Sequence, residues 1–291
     1  MNEKRVIGVD VGGTKILAGV IDADGNVHQT VERATAATSQ EALLDEIAEL
    51  VAELPRDGVD AVGFGMPARV DQATGVVLGA VNLPTHDIDF RSEMTRRLGL
   101  PVGIENDANA AAYAEFRLGA GRDVQSLVML TLGTGVGGGV VFAGRLFRGW
   151  AELGHMVIVE DGDPCNGACT GRGHVESYCS GTAVDRLARR VLGESATARD
   201  LVAARHPALA EVGHHLGVAI GSLINVFSPQ LVLVGGGFGV AAFDQLLPAA
   251  RSVVEREALA PGGRVEIRTA ELGAQAGLIG AGLVALEAVP A

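Results

Sequence analysis

Positive charge is scarce in this chain. Its 291 residues include 23 lysines and arginines against 35 aspartates and glutamates, which gives a formal net charge of −12. No run of basic residues is longer than two. Because nucleic acids and anionic membranes are bound by clustered positive charge, the sequence argues against both as partners. It favours small molecules instead.

Long hydrophobic runs are missing as well. The longest uncharged apolar stretches, residues 216–227 and 272–286, are shorter than the ~20 residues that span a bilayer as a helix. The first residues, MNEKRVIGVDVGG, lack the apolar core of a signal peptide. We therefore expect a cytoplasmic protein with no membrane partner.

Cysteine is rare, and its few copies are crowded together. The chain has three, Cys165, Cys169 and Cys179. In a reducing compartment structural disulfides are not expected, so the crowding indicates either a metal site or burial in the core.

What the sequence does contain is apolar residues and glycine. Hydrophobic residues make up 48% of the chain and charged residues 20%, which excludes intrinsic disorder. There are 41 glycines and 10 prolines, without a collagen period. Many turns must therefore need a positive φ or a close approach of backbone, as phosphate-binding loops do. The length favours two domains.

The first part of the chain alternates strand and helix patterns. Arg5 to Val11, Lys15 to Ile21 and a run from Val27 predict a three-stranded antiparallel meander. Later elements are predicted at residues 40–54 (helix), 59–66 (strand), 91–98 (helix), 102–105 (strand) and 107–118 (helix), with an irregular stretch before Phe90.

The second part repeats this opening. A strand at 126–132, a turn at Gly133-Thr134-Gly135 and strands at 136–142 and 145–147 form another meander, which indicates duplicated α/β domains facing one cleft, βββαβαβα in each half. We place the domains at residues 1–118 and 119–273. Further elements are predicted at about 176–191, 197–205 and 208–226 (helices), 231–234 (strand), 240–258 (helix), 264–268 (strand) and 274–288 (helix).

The motif Asp10-Val-Gly-Gly-Thr-Lys15 follows the first strand. It offers a carboxylate, two glycine N–H groups that can approach phosphate, a hydroxyl and an ammonium group. The alternative interpretation is an ordinary tight hairpin without a ligand. A second glycine hairpin in the repeat makes this alternative less favoured.

That second hairpin, Thr131 to Gly139, contains the spacing G-x-G-x-x-G. A dinucleotide-binding loop must open a helix, whereas here a strand follows, so the glycines line a hairpin. The run Gly235-Gly-Gly-Phe-Gly239 does lead from strand to helix, with Glu255 downstream, and it stays the runner-up nucleotide site.

Acidic and amide residues precede an alanine-rich helix in Glu105-Asn106-Asp107-Ala-Asn109. An N-cap with acids favoured by the helix dipole explains the pattern without any function. A carboxylate at such a helix start is also well placed to accept a hydroxyl proton, as a kinase base must.

Four potential metal ligands lie close together on a glycine-punctuated loop. They are His155, Cys165, Cys169 and His174, and they fit tetrahedral zinc. The alternative is two buried thiols and two surface histidines. Cys179 lies on a predicted helix beyond Glu176, and we interpret it as a core residue.

Together these motifs, with Glu152-Leu-Gly-His155, resemble the ROK family (repressors, open reading frames, kinases), in particular its bacterial glucokinases. The resemblance covers nearly the whole chain. It implies an actin-like, ribonuclease-H-like pair of domains, with the last helix, about 274–288, completing the first domain and the loop 155–174 carrying zinc in the second.

The resemblance also implies ATP-dependent transfer of phosphoryl to a sugar 6-hydroxyl. Asp107 would be the general base, Asp10 would organise Mg²⁺, and His155 would be shared between sugar and structural Zn²⁺. The other sugar-binding residues would be Gly65, Asn82, Asn106, Glu152 and Glu176. The ATP-binding residues would be Gly12, Gly13, Thr14, Lys15, Thr134, Gly135, Gly235, Gly236 and Gly237.

Some features leave alternatives open. The family loop C-x-C-G-x-x-G-C is replaced by Cys165-x3-Cys169 with His174 as last ligand, and imidazole can replace thiolate on zinc. The family's usual Val-Pro-Gly is Met66-Pro67-Ala68 here, and the aromatic residue that often follows Asn-Leu is also replaced. Glucose is therefore the first expected hexose, with mannose, fructose, N-acetylmannosamine and N-acetylglucosamine as alternatives and polyphosphate as an alternative donor.

Two further classes are weighed against the kinase. A sugar-sensing repressor would need a DNA-binding module and a basic surface, and an actin-like ATPase would not explain the cluster from Glu152 to Glu176. We expect a homo-oligomer, either a dimer or a tetramer.

Overall fold

The computed structural model describes residues 4–80, 82–167 and 169–289. The chain divides into two compact units. The first comprises the residues up to Leu118 together with those from Gln275 onwards, and the second comprises Gly119–Ala274. Each unit has its own sheet and its own hydrophobic core.

The first unit is built on a five-stranded sheet in the order β3-β2-β1-β4-β8. Strands β1 to β3 are antiparallel, whereas β1, β4 and β8 are parallel. The elements of this unit are β1 (Arg5–Val11), β2 (Lys15–Asp22), β3 (Val27–Ala34), α1 (Gln40–Ala52), β4 (Val59–Met66), β5 (Ala68–Asp71), β6 (Val76–Ala80), β7 (Ile88–Asp89), α2 (Phe90–Leu98), β8 (Val102–Asn106), α3 (Asp107–Leu118) and α9 (Ala276–Ala288).

Strands β5, β6 and β7 form a separate three-stranded sheet in the stretch that we predicted to be irregular. The turn between β5 and β6 is local. Asp71 Oδ1 accepts from the N–H groups of Ala73 (2.9 Å) and Thr74 (3.3 Å), and Gly75 has a φ of +80°. The prediction was wrong because these strands are short and only half-buried, so they lack a strong alternating pattern.

Helix α9 packs on the first sheet through a row of glycines on three neighbouring strands. Gly8, Gly63 and Gly103 are paired across β1, β4 and β8. A Cβ at Gly8 would collide with Leu278 O, one at Gly63 with Ala281 O, and one at Gly103 would lie 2.6 Å from Val284 O. The glycines therefore allow the helix backbone to lie directly on the sheet.

The second unit repeats the strand order of the first, as β11-β10-β9-β12-β13. Its antiparallel meander is again followed by parallel strands. The elements of this unit are β9 (Leu127–Leu132), β10 (Val136–Phe142), β11 (Arg145–Leu146), α4 (Val175–Cys179), α5 (Gly181–Leu192), α6 (Ala198–Ala203), α7 (Leu209–Phe227), β12 (Leu231–Gly235), α8 (Gly237–Glu257) and β13 (Glu266–Thr269).

The repeated strand order confirms the predicted duplicated α/β fold class. The finer pattern βββαβαβα is interrupted in both units, by the small sheet in the first and by the four helices α4 to α7 between β11 and β12 in the second.

The single helix predicted at 176–191 is two helices. Ser180 has an extended backbone (φ −76°, ψ 156°), and its hydroxyl caps α5 by accepting from the Ala183 N–H at 3.1 Å. Serine is more favourable at a helix N-cap than inside a helix, so the predicted helix is divided at Ser180. None of the helices within the described ranges has both the length and the apolar character needed to cross a membrane.

Candidate functional site

Three parallel strands of the first unit bring predicted site residues to their carboxyl ends. Asp10 on β1 is paired with Gly65 on β4, which is paired with Glu105 on β8. Asn106 ends β8 and Asp107 begins α3. A Cβ built on Gly65 would lie 3.6 Å from Asp107 Cα. This edge of the sheet is where open α/β folds bind their ligands.

Asn106 is the cap of α3. Its Oδ1 accepts from the N–H groups of Ala108 (2.9 Å) and Asn109 (3.1 Å), and its Nδ2 donates to Ala68 O at 3.4 Å. The cap that explains the motif without any function is therefore present. It also leaves Asn106 committed to the backbone, while Asp107 lies in the first turn of the helix, where the dipole favours a carboxylate.

Beneath this cap lies a buried polar pair. Glu105, 1% exposed, accepts through Oε1 from the Asn106 N–H (3.0 Å) and from Asn109 Nδ2 (3.1 Å). Asn109 is 3% exposed. Because buried polar groups hold one geometry when they are paired, this arrangement fixes the start of α3 and with it Asp107.

Asp10 is largely removed from solvent. Burial and, to a smaller extent, the carboxylate of Asp107 raise its pKa to about 6, against a lowering effect of Lys15. A Cβ at Gly277, in the first turn of α9, would lie 2.6 Å from Asp10 Oδ2. Gly277 is thus a site residue that the sequence analysis missed, since only the folded chain brings α9 to β1.

The first glycine turn, residues 12–15, is a tight hairpin. Gly12 N–H donates to Lys15 O at 2.9 Å, and Thr35 Oγ1 donates to Gly12 O at 2.7 Å. Gly13 and Thr14 are exposed, and a Cβ at Gly13 would lie 2.8 Å from Asn82 Cβ. The structure therefore brings Asn82 to this turn. The exposed Lys15 ammonium contacts Glu32 at 2.7 Å.

The second glycine turn, Gly133-Thr134-Gly135, lies in the second unit and is held from behind by α5. Gly181 N–H donates to Gly133 O, and Thr182 Oγ1 donates to Thr134 O, both at 2.7 Å. Thr134 is exposed at the tip. Thr182 is a further residue that the sequence analysis missed.

The glycines at 235–237 lie beside this second turn. Gly235 ends β12 opposite Thr131 on β9. Gly236 has a φ of +78°, and a Cβ there would collide with Leu132 O, so only glycine suits the start of α8. The two glycine-rich segments of the second unit thus lie next to each other.

The predicted Cys/His cluster, His155, Cys165, Cys169 and His174, is assembled in the structure. One ligand atom from each residue lies within 4.8 Å of all the others. His155 Nδ1 is 3.7 Å from Cys165 Sγ and 3.2 Å from His174 Nδ1, and His174 Nδ1 is 3.7 Å from Cys169 Sγ. Two thiols and two imidazoles in this arrangement fit a tetrahedral soft cation.

Burial and neighbouring groups shift the pKa values of two cluster residues in different directions. Burial lowers the pKa of His174, and the adjacent His155 lowers it further, which keeps a lone pair free for a metal. Burial raises the pKa of the Cys165 thiol to about 11 in the metal-free chain, so metal binding must release its proton. Cys179 lies apart in the core, with Sγ 3.8 Å from Val212 O.

The acids on either side of the cluster differ in their surroundings. Glu152 is exposed and precedes a short 3₁₀ helix, Leu153–His155. Gly154 in that helix packs on Val136 O so closely that a Cβ would collide with it. Glu176 is half-buried, and its Oε2 accepts from the Val136 N–H at 2.8 Å. Both segments are therefore fixed against the start of β10.

Two mixed sheets with one strand order, each opening on a glycine hairpin, define the actin-like, ribonuclease-H-like class of α/β proteins. Within that class, the chain belongs to the ROK family, whose model matches residues 6–288.

Curated relatives are similar over almost their full length. A glucokinase from Streptomyces coelicolor is 34% identical over 98% of both chains, and one from Thermotoga maritima is 33% identical over 99% of both. Among solved structures, a ROK family glucokinase from Streptomyces griseus, in complex with glucose and AMPPNP, is 34% identical with a TM-score of 0.83. That match covers 97% of this chain and 99% of the other.

Proposed function

We propose that this chain is an ATP-dependent hexose kinase with glucose as its preferred sugar. It transfers the γ-phosphoryl group to the sugar 6-hydroxyl. The observation that carries the proposal is the pair of carboxylates at the strand ends, Asp10 and Asp107, close enough for Asp107 to raise the pKa of Asp10. The glucokinase relatives and the glucose–AMPPNP complex of a similar protein support the choice of substrates.

Asp107 is the proposed general base. It lies at the start of α3 on a carboxyl end of the sheet, next to Gly65, whose lack of a side chain leaves room for a sugar hydroxyl. Taking the hydroxyl proton as the oxygen attacks phosphorus requires a base, and the helix dipole favours a charged carboxylate in the first turn. Positioning and charge stabilisation supply the rest of catalysis in phosphoryl transfer.

Asp10 is the proposed anchor for Mg²⁺. Its carboxylate supplies the hard oxygen ligand that Mg²⁺ prefers, and its raised pKa reflects a buried charge that lacks a full counter-charge. When bound, the cation would neutralise charge on the phosphoryl oxygens. The exposed N–H groups of the first glycine turn are the proposed neighbours of the transferred phosphate.

The Cys/His cluster is proposed to hold a structural Zn²⁺. Four protein ligands close a tetrahedron and leave no open position for water or substrate, unlike catalytic zinc. Two reduced thiols in such a site suit a reducing compartment, which supports a cytoplasmic location. A role in carbohydrate breakdown and a homo-oligomeric state, dimer or tetramer, stay predictions.

The test is a coupled assay of ADP release over a panel of hexoses. We expect the highest kcat/KM with glucose, and lower values with mannose, fructose, N-acetylglucosamine and N-acetylmannosamine. Polyphosphate in place of ATP tests the alternative donor. If none of the hexoses in the panel supports ADP release, with saturating Mg²⁺ and zinc-replete protein, the proposed kinase activity is refuted.

A further inference from the structure

Residue Glu176 makes contacts on two sides. Its Oε2 accepts from the Val136 N–H at 2.8 Å, immediately after the second glycine turn, and its Oε1 lies 3.8 Å from Cys165 Sγ. A Cβ on Gly135 would collide with the same carboxylate. One side chain therefore touches both the Cys/His cluster and the second glycine turn, which is predicted to bind ATP.

A second connection runs through Asn166, the residue after Cys165. Its Nδ2 donates to Ser180 Oγ at 3.1 Å, and its Oδ1 accepts from Arg186 Nη1 at 2.8 Å. Arg186 also donates to Ser177 O at 3.1 Å. Ser180 is fully buried and caps α5, so Asn166 ties the cluster to the start of that helix.

The start of α5 in turn holds the second glycine turn. Gly181 N–H donates to Gly133 O, and Thr182 Oγ1 donates to Thr134 O. From the ligand His174 to Thr182, one short segment of chain thus carries contacts to the cluster and to each residue of the turn. Displacing the cluster should strain this segment, because most of its contacts are hydrogen bonds of 2.7 to 3.1 Å.

The loop between His155 and His174 has little regular secondary structure. Its backbone is held by two isolated β-bridges, Val157 with His174 and Pro164 with Arg172, and two of its glycines, Gly167 and Gly173, have positive φ. A bound metal ion would fix four points of this loop and offset part of the backbone entropy that the loop loses on folding.

We propose that Glu176 and Asn166 are positioning residues that couple metal occupancy of the Cys/His cluster to nucleotide binding at the second glycine turn. The proposal rests on the proposed kinase function only for the identity of the nucleotide. It goes beyond the sugar-binding role predicted for Glu176, because both carboxylate oxygens of that residue already have neighbours within the second unit.

Coupling of this kind is reciprocal. Zinc should change ADP binding and ADP should change the metal site, so the coupling can be measured from either side. The first measurement is the Kd for ADP, measured by calorimetry without sugar on the zinc-loaded chain and on the chelated chain. We expect zinc to lower the Kd about fivefold to tenfold, near the lower end of common coupling factors. The second is the visible spectrum of the Co²⁺-substituted chain, which should shift when ADP is added.

Variants separate positioning from general stability. In Glu176→Ala and in Asn166→Ala the ratio of the two ADP Kd values should fall, and in the double variant it should reach about one, with no spectral shift on ADP addition. Glu176→Gln keeps one acceptor oxygen and should recover part of the ratio. The matched control is Glu160→Gln, an exposed carboxylate on the same loop, which should keep the wild-type ratio.

The outcomes are distinguishable from those of the hexose assay. A wild-type chain that phosphorylates glucose but binds ADP equally with and without zinc refutes the coupling and leaves the kinase intact. A full coupling ratio in the double variant refutes these two residues as its carriers. A chain that binds no ADP in either state refutes both proposals, and variants too unstable for calorimetry leave the two wild-type measurements as the test.

Discussion

At the scale of single residues, the two carboxylates of the first unit have different surroundings. Asp107 lies in the first turn of a capped helix, where N–H groups favour its charge, whereas Asp10 packs against Gly277 and beside the charge of Asp107. This difference supports the proposed division of roles, with Asp107 as the base and Asp10 as the ligand of the cation.

Asp107→Asn tests the base. The amide keeps the shape and a hydrogen bond but cannot take a proton, so kcat should fall by about 10² to 10⁴ while the KM for the sugar stays within about tenfold. The measurement is steady-state ADP release with glucose. Asp60→Asn, an exposed aspartate on β4, is the control and should keep wild-type kcat. Wild-type turnover in the Asp107 variant would remove this residue from the mechanism.

Asp10→Asn tests the buried charge through pH. The folded-state pKa of about 6 lies above the ordinary value of 3.8, so the folded chain binds the proton more tightly. Stability should therefore fall as pH rises from about 4 to about 6 and stay lower above it. Asparagine cannot ionise, so without Mg²⁺ the variant should gain on the order of 2 to 3 kcal/mol over wild type between pH 3.5 and pH 7.5.

Thermal unfolding at the two pH values measures this gain. The difference in Tm between variant and wild type should grow with pH, and saturating Mg²⁺ should reduce it at pH 7.5 by stabilising the wild type alone. An equal Tm difference between variant and wild type at both pH values would show that ionisation of Asp10 does not destabilise the folded chain.

At the scale of elements, what could be predicted was what a short stretch of sequence specifies. Strand β4, helix α3 and the hairpin after Asp10 were predicted correctly because hydrophobic runs, a cap and paired glycines act within a few residues. The small sheet β5-β6-β7 was not predicted because its strands are short and half-buried, and the break at Ser180 was not predicted because a serine cap competes with the helix interior. The contact of Glu176 with Val136 could not be predicted, since the two residues are 40 positions apart. The Cys/His cluster was predicted from the sequence, because its four ligands lie close together on one loop.

Gly135→Ala tests how closely the second glycine turn fits the segment behind it. The new Cβ would collide with the Glu176 carboxylate, and we expect a loss of about 1 to 3 kcal/mol in the free energy of unfolding. Gly133→Ala is the matched control in the same turn, because a Cβ there has no neighbour within 4 Å among the described residues. Denaturant unfolding of both variants measures the difference, and equal losses would contradict this packing.

Gly63→Ala tests the packing of α9 on the first sheet. The Cβ would overlap Ala281 O on the helix backbone, which cannot move aside as a side chain can. We expect destabilisation of more than about 3 kcal/mol, or no folded protein. Gly79→Ala on β6 is the control, since its nearest neighbour, Arg69 Nη2, would be 3.6 Å away. A Gly63 variant as stable as the Gly79 variant would mean that α9 does not lie on this row.

At the scale of the whole molecule, the duplication shows which parts of the fold are shared and which are added. Both units have the same strand order and a glycine hairpin between their first two strands. Among the described residues, the Cys/His loop and the helices that follow it belong to the second unit, whereas the small sheet and α9 belong to the first. The stabilities of the units should therefore respond to different agents.

Zinc is the agent that should act on the second unit alone. We expect one zinc per chain by elemental analysis, retained in Cys179→Ser, whose thiol lies in the core, and lost in His174→Ala. At free zinc 100 times its Kd, binding adds about 2.7 kcal/mol to the unit that holds it. For a unit of this size that corresponds to a rise in Tm of about 5 to 10 °C.

In calorimetry, chelation should lower only one of two transitions, because the first unit has its own core and contributes no ligand to the cluster. Zinc that survives in His174→Ala but leaves with Cys179→Ser would mean that the fourth ligand is wrong, and equal lowering of both transitions would mean that the units unfold as one.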